Sequence, residues 1–355
     1  MTESPDRRSG STPATGPARR EAGALASRAD YDHAEEIKAI PLRHPWRWVF
    51  VALLALLAAM LVNNLITNPN YQWELVGKYL YDQRVVEGIR YTLILSVGAM
   101  AIALVVGVTI AVMRMSDNPV VSGVAWFYLW VFRGTPVYTQ LIFWGLVGVL
   151  IPRVGIGIPF GPTWVEWSTP EIVTPFVAAL FGLALNEAAY MAEIVRAGLL
   201  SVDGGQQEAA AALGMSRGKT MRRIVLPQAM RVIVPPTGNE FISMLKTTSL
   251  VSAVPFTLEL QAQTRNIAVP IFKPIPLLIV AAFWYLVITS ILMIGQFYLE
   301  RYFGRGSNRV QPLTPIQKLK LRLGIGGPPK QTVDPKGAAV DPDAEIALEQ
   351  MGPKG

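Results

Sequence analysis

Residues 208–227 read Glu208-Ala209-Ala210-Ala211-Ala212-Leu213-Gly214-Met215-Ser216-Arg217-Gly218-Lys219-Thr220-Met221-Arg222-Arg223-Ile224-Val225-Leu226-Pro227, and the fold turns on them. Ala209 to Leu213 is a strong helix former. Gly214 permits a helix stop with close backbone approach, and Met215 to Ile224 supports a second short helix that Pro227 ends. The spacing predicts a compact helix-turn-helix, with small residues that let another protein come near and basic residues that meet acidic ones. A plain solvated loop between larger elements is the bland alternative.

Outward from this stretch the chain turns apolar. Of its 355 residues 51% are hydrophobic and 16% charged, with a mean hydropathy of +0.35, which points to a membrane protein rather than to two soluble domains. The formal charge of +7 stands beside apolar runs, as cytoplasmic anchors do, and not on an aromatic-interleaved face suited to nucleic acid. Cysteine is absent, which excludes a disulfide framework and a thiolate metal site, and two histidines, His33 and His44, leave little for metal chemistry. Gly218-Lys219-Thr220 imitates the end of a phosphate-cradling loop, but Leu213 stands where that motif needs a glycine.

A helix needs roughly 20 apolar residues to cross hydrocarbon, because its backbone must satisfy its own hydrogen bonds there. The stretches that qualify are Trp46 to Ile66, Tyr91 to Met113, Val121 to Ile151 (interrupted by Arg133-Gly134-Thr135-Pro136), Ile172 to Leu200 and Ile275 to Tyr298. A sixth, Val232 to Pro255, carries Pro235, Pro236, Asn239, Glu240 and Lys246 and fails a plain hydropathy test. The basic residues decide its case. Arg217, Lys219, Arg222 and Arg223 on one side, and Arg301, Arg305 and Arg309 after the last helix, both belong in the cytoplasm. Two crossings must then separate them, so the sixth segment is expected to span. Arg43 and Arg47 place the N-terminal side in the cytoplasm as well, giving six spans with both termini cytoplasmic and loops 67–90, 152–171 and 256–274 outside. Residues 1–44 read as a disordered cytoplasmic tail, 45–67 as an additional N-terminal transmembrane helix, and 303–355 as a second cytoplasmic tail.

Glu208-Ala209-Ala210, three residues, Gly214, nine residues and Ile224-Val225-Leu226-Pro227 resemble the coupling loop of ABC importer permeases at every defined position. Four further stretches resemble the branch serving polar amino acids of the histidine, glutamine, glutamate, arginine and opine type. They are Phe132-Arg133-Gly134-Thr135-Pro136, the run from Ala188 to Gly198, Gly205-Gln206, and Leu245-Lys246-Thr247-Thr248-Ser249-Leu250. The resemblance implies an all-α polytopic membrane protein with the type I ABC importer transmembrane fold. Its five-helix permease domain occupies 85–302, with a coupling loop at 203–230. It also implies two ATPase subunits that hold the ATP and Mg, so this chain carries no cofactor and is not itself an enzyme. A second permease, identical or homologous, an extracytoplasmic solute-binding protein and an amino acid substrate complete the implied assembly in the cytoplasmic membrane. The residues implied to couple to the ATPase are Glu208, Ala209, Ala210, Gly214, Arg217, Ile224, Leu226 and Pro227.

Ionisable groups at membrane depth mark a pathway or a buried pair. Glu193 and Arg196 lie one helical turn apart and can pair. Glu187 has no basic residue at i+3 or i+4, so it is open either to a substrate ammonium or to a partner on another helix. Tyr190, Asn239, Lys246, Thr248 and Ser249 are further substrate-path candidates, the polar ones suited to an amino acid carboxylate or, equally, to bonds between helices. Trp126, Trp130, Trp144, Trp164 and Trp167 read as interfacial anchors or packing. Two rival functions remain at this level. An ion-gradient-driven secondary transporter of small polar solutes is expected to show internal repeats, which the halves lack, and an intramembrane enzyme needs a nucleophile and base that this chain does not offer.

Overall fold

The computed structural model describes residues 45–158 and 161–303; the two tails expected at 1–44 and beyond 303 lie outside them. The chain divides into two units, residues up to Asn68 and residues from Pro69 onward. The first holds helix α1, Pro45–Thr67, whose apolar window has a mean hydropathy of 2.5.

In the second unit, α2 (Trp73–Tyr79) leads into α3 (Gln83–Arg114). The start of α3, eight residues ahead of the expected Tyr91, is set by Asp82, whose carboxylate accepts from the Arg84 backbone N–H at 2.9 Å. The Arg84 guanidinium, 3.1 Å away, holds that carboxyl below its usual range. Helices α4 (Pro119–Gly134) and α5 (Val137–Gly145) follow, then a single turn at Val147–Leu150 and an antiparallel hairpin of β1 (Arg153–Gly157) and β2 (Thr163–Ser168). The hairpin departs from an all-α reading, which took 152–171 as loop. Next come α6 (Pro175–Leu200), α7 (Gly204–Ala212), α8 (Leu226–Thr247), α9 (Leu260–Ile271) and α10 (Pro274–Phe303).

Among the described residues four helices are long and apolar enough to cross a membrane by themselves: α1, α3, α6 and α10. The other two expected crossings are irregular for identifiable reasons. Val121 to Ile151 is cut into α4 and α5 at Thr135-Pro136, because proline has no N–H and forces Thr135 out to φ −118°, ψ 145°. The carbonyls left over are met by side chains. Gln140 Nε2 lies 3.0 Å from Phe132 O and 3.1 Å from Thr135 O, and Asn186 Nδ2 on α6 donates to Phe132 O and to Gln140 Oε1, both at 3.0 Å. The sixth segment, Val232 to Pro255, lies in the continuous helix α8 only as far as Thr247, despite Pro235 and Pro236, and then passes into a 3-10 turn at Thr248–Ala253. At 1.5 Å per residue the 22 residues of α8 extend about 33 Å. Gln296 of α10 donates to Pro235 O at 2.8 Å and lies where a Cβ on Gly238 would stand, which welds α8 to α10.

The core is built by close approach. Ala99, Ala103, Ala179, Ala184 and Ala188 pack with Leu95, Leu183 and Met191 between α3 and α6. A Cβ on Gly107 would stand 2.7 Å from Met191 Cβ, so only glycine fits. A second cluster joins Ile110, Ala125, Ala192 and Val195 to Val225, Ala229 and Ile233 at the foot of α8. The third, at the other end, gathers Val76, Val85, Leu260, Ile267 and Leu277.

Glu259 ties that third region together. It is fully buried. As the cap of α9 it accepts from Gln261 N at 2.7 Å and Ala262 N at 3.3 Å. Its other oxygen accepts from Thr92 Oγ1 on α3 at 2.9 Å, from Thr248 Oγ1 at 3.4 Å and from the Tyr285 hydroxyl on α10. Glu259→Ala strands several buried donors, each at about 1–3 kcal/mol. We expect a thermal midpoint in detergent many degrees below the parent, with Glu259→Gln, which keeps an acceptor, falling between. A parent-like midpoint for the alanine variant, read by tryptophan fluorescence on heating, would contradict this account.

Candidate coupling elbow and membrane path

Between α6 and α8 the chain makes a bare elbow on a fixed base. Asp203 caps α7, accepting from Gly205 N at 3.0 Å. The helix closes with Met215 N donating to Ala210 O at 3.0 Å and Gly214 N to Ala211 O at 2.9 Å. Those two bonds form a Schellman motif, which needs a left-handed residue after the cap. Gly214 supplies it at φ +74°. No heavy atom lies within 4 Å of where its Cβ would be, so the demand for glycine there is conformational and the space beside it is open.

The return arm corrects one expectation. Arg217–Thr220 forms a helical turn, and Met221–Val225 is a π-turn running without interruption into α8. Pro227 therefore opens α8 in its first turn instead of ending the preceding helix. The widened turn accounts for this, because a proline in the first turn of a new ladder has no N–H bond to lose. Ala210, Thr220 and Val225 are buried and hold the elbow to its base, with the Thr220 hydroxyl donating to Ser216 O. Glu208, Ala209, Gly214, Arg217, Leu226 and Pro227 are exposed and Ile224 is half-buried. Leu213 stands at the tip 82% exposed. The tip thus presents a bare leucine beside an open glycine, and Arg217, Lys219, Arg222 and Arg223 on the return arm are exposed as well.

Within the helices, Glu193 of α6 joins Arg196 at 2.9 Å and Arg133 of α4 at 3.8 Å. The Arg133 guanidinium also lies 5.6 Å from the centre of the Tyr190 ring, so Tyr190 belongs to this cation-rich cluster. Glu187, 7% exposed, sits one turn nearer the start of α6, and its Oε1 is buried with no hydrogen-bond partner. Glu240 of α8, half-buried, acts on it electrostatically. Asn239 and Lys246 are exposed. The hydroxyls beyond them are spent on their own backbone: Thr247 Oγ1 donates to Ser243 O at 3.0 Å, Thr248 Oγ1 to Leu245 O at 2.7 Å and Ser249 Oγ to Lys246 O at 2.7 Å. Thr248 is fully buried beside Glu259, so it stands with the structural hub and not with Glu187 and Asn239.

Three polar groups that organise this region were not singled out from the sequence: Gln140, Asn186 and Glu259. Asn186 could have been found by its place next to Glu187. Glu259 falls in a stretch read as an external loop, where nothing local signals burial.

A family model described as the binding-protein-dependent transport system inner membrane component matches residues 85–305. The arginine transport system permease protein ArgU of Corynebacterium glutamicum is 52% identical over 294 residues, covering 82% of this chain and 90% of that protein. The nopaline transport system permease protein NocM of Agrobacterium fabrum is 38% identical, covering 59% and 85% respectively. A crystal structure of an amino acid ABC transporter with histidines superposes with a TM-score of 0.54 at 34% identity, covering 64% of this chain and 98% of that one. The elbow, the stitched helix break and the small-residue core thus stand in a chain that belongs to the family of binding-protein-dependent transport system inner membrane components, as a multi-pass ABC permease subunit.

Proposed function

We propose that this chain carries a polar amino acid, of the cationic class, inward across the cytoplasmic membrane. A separate pair of ATPase subunits that hold ATP and Mg powers the movement. It works beside a second permease, identical or homologous, and receives its substrate from an extracytoplasmic solute-binding protein. The observation that carries this reading is the elbow, with Leu213 and Gly214 bare at the tip and Ala210, Thr220 and Val225 locking the base. Its basic residues place it in the cytoplasm by the positive-inside tendency, with both termini on that side. The ATPase grips the knob formed by Leu213, and Glu208, Ala209 and Arg217 line the contact.

Movement of the knob reaches the membrane with little slack. The return arm is continuous with α8, and α8 ends at Thr248 against Glu259. A displacement at the elbow therefore tilts α8 as a body, which is how two discrete helix packings are exchanged. Nucleotide biases one of the two.

The substrate lean comes from Glu187. A buried carboxylate oxygen without a partner is a vacancy for a donor, and Glu240 adds to the negative lining. Arginine in the name of the 52% identical relative agrees with a cationic ligand. Asn239 and Lys246, both exposed, meet the ligand's carboxylate. Glu193 and Arg196 serve as a structural pair.

Two outcomes test this in vesicles containing the whole transporter. Gly214→Asp should insert in the membrane normally yet abolish uptake and the stimulation of ATP hydrolysis by loaded binding protein. Gly214→Asn, which tolerates the left-handed conformation, should retain more activity than Gly214→Ala, which carries roughly 1–2 kcal/mol of strain. Full uptake in the aspartate variant, or uptake that survives ATP depletion and fails with an uncoupler, would refute ATP coupling through this elbow. Separately, Glu187→Gln should raise the half-saturating concentration for arginine about tenfold or more, the value of one charged hydrogen bond, and that for glutamine much less. Equal, unchanged values for both would remove Glu187 from the path.

A further inference from the structure

The hairpin between α5 and α6 has two unlike faces. Its register sets Val154 opposite Trp167 and Ile156 opposite Val165. These four side chains share one face, and they are 37%, 42%, 60% and 48% exposed in that order. Arg153, Gly155, Glu166 and Ser168 share the other, where Arg153 Nη1 pairs with Glu166 Oε2 at 3.2 Å. Trp164 is the extra residue at the irregularity next to Gly157 and is also exposed. A lone two-stranded hairpin is marginal in water, and this one leaves a tryptophan and three β-branched residues uncovered.

Three observations say what covers them. The base of the hairpin is locked to the ends of membrane-embedded helices. Thr169 N donates to Pro152 O at 3.0 Å, Val173 N to Thr169 O at 2.7 Å, and Pro170 Cγ lies 3.0 Å from where a Cβ on Gly148 would stand. Strands of five and six residues reach only about 17–20 Å from that base, so the hairpin stays near the level at which α6 enters the hydrocarbon. The bare surface is also continuous with Leu146, Val149, Leu150 and Ile151, all exposed, which lead from α5 into β1. The apolar medium at that level is lipid, and tryptophan is enriched there. Finally, Arg153 and Glu166 neutralise each other, so the opposite face offers no net charge to draw in a protein partner.

We propose that the 153–168 hairpin lies flat on the bilayer as an interfacial anchor. Val154, Ile156, Val165 and Trp167 press into the headgroup and upper acyl region, and the Arg153–Glu166 pair faces water. The anchor fixes the depth of the N-terminal end of α6, the helix that carries Glu187 and Glu193, against the tilting of α8. A chain without cysteine suits the test. Single nitroxides are placed by Ile156→Cys, Val165→Cys and Glu166→Cys in the whole transporter in phospholipid nanodiscs, each variant first checked for uptake. Power saturation should show the labels at 156 and 165 open to oxygen and protected from an aqueous nickel chelate, with that ratio reversed at 166. Equal access to the chelate on both faces overturns the proposal. So does protection at 156 that appears only when loaded binding protein is added, or dipolar broadening between labels on two permease copies. Those last results would assign the face to a protein partner.

Discussion

A backbone N–H or C=O in hydrocarbon has no water to fall back on, so any interruption of a membrane helix must be repaired from within the protein. This chain interrupts its helices at Thr135-Pro136 and again in the turn after α8. Each break is met by polar side chains, some local and some from another helix. At Pro136 the repair comes from Gln140 and from Asn186 of α6. After α8 the Thr248 hydroxyl donates to Leu245 O, and Glu259 accepts the first N–H groups of α9 on one oxygen and the hydroxyls of Thr92, Thr248 and Tyr285 on the other. Inside α8, Gln296 reaches Pro235 O from α10. The repairs double as the joints between helices, because a donor sent to a neighbour's broken backbone cannot leave without exposing it.

That arrangement makes the helices stiff along their length and close together across it. Glycine and alanine at the α3–α6 and α6–α8 contacts remove the side-chain cushion that would absorb a displacement, so a shift at one contact is felt at the next. Gly88 is a further case: a Cβ there would stand 2.8 Å from Leu260 Cα, the first residue of α9. Motion imposed on the elbow therefore has few places to dissipate between Val225 at one end of α8 and Thr248 at the other. Stiffness of this kind is what the proposed lever requires, and it follows from residue size and backbone hydrogen bonding alone.

Sequence made the elbow legible because its signals are local: an alanine run, one glycine at the stop and a proline at fixed spacing. Glycine is required at position 214 by φ +74° in a Schellman close, which is a short-range fact. Helix in the first part of segment 232–255 follows from the distribution of arginine and lysine around it and not from its own composition, which argues against a span. The π-turn at 221–225 was not, because proline ordinarily reads as a stop and the compensation lies in hydrogen bonds rather than in residue types. Glu259, Asn186 and Gln296 were hidden for a related reason. Their partners are 167, 54 and 61 residues away in the cases of Thr92 to Glu259, Phe132 to its Asn186 donor, and Pro235 to Gln296, and no periodicity in a window reports such distances. The hairpin escaped as well, its strands being short and its turn rich in proline and glycine.

Glu187 and Glu259 show how burial alone fails to distinguish structure from function. Both are acids within the helical body, and both are at most 7% exposed. Every oxygen of Glu259 is occupied, one by two backbone N–H groups of α9 and the other by three hydroxyls from other segments, so adding a ligand there would require expelling a donor already paired. Glu187 has an oxygen with no hydrogen-bond partner among the described residues, and α8 beside it contributes a second carboxylate, Glu240. On the proposed function, a buried acid left in that state raises the free energy of the empty protein by an amount that a positively charged guest recovers on arrival. On that proposal the fold stores part of the binding energy in advance, and the helix that stores it is the one whose small residues pack against α8.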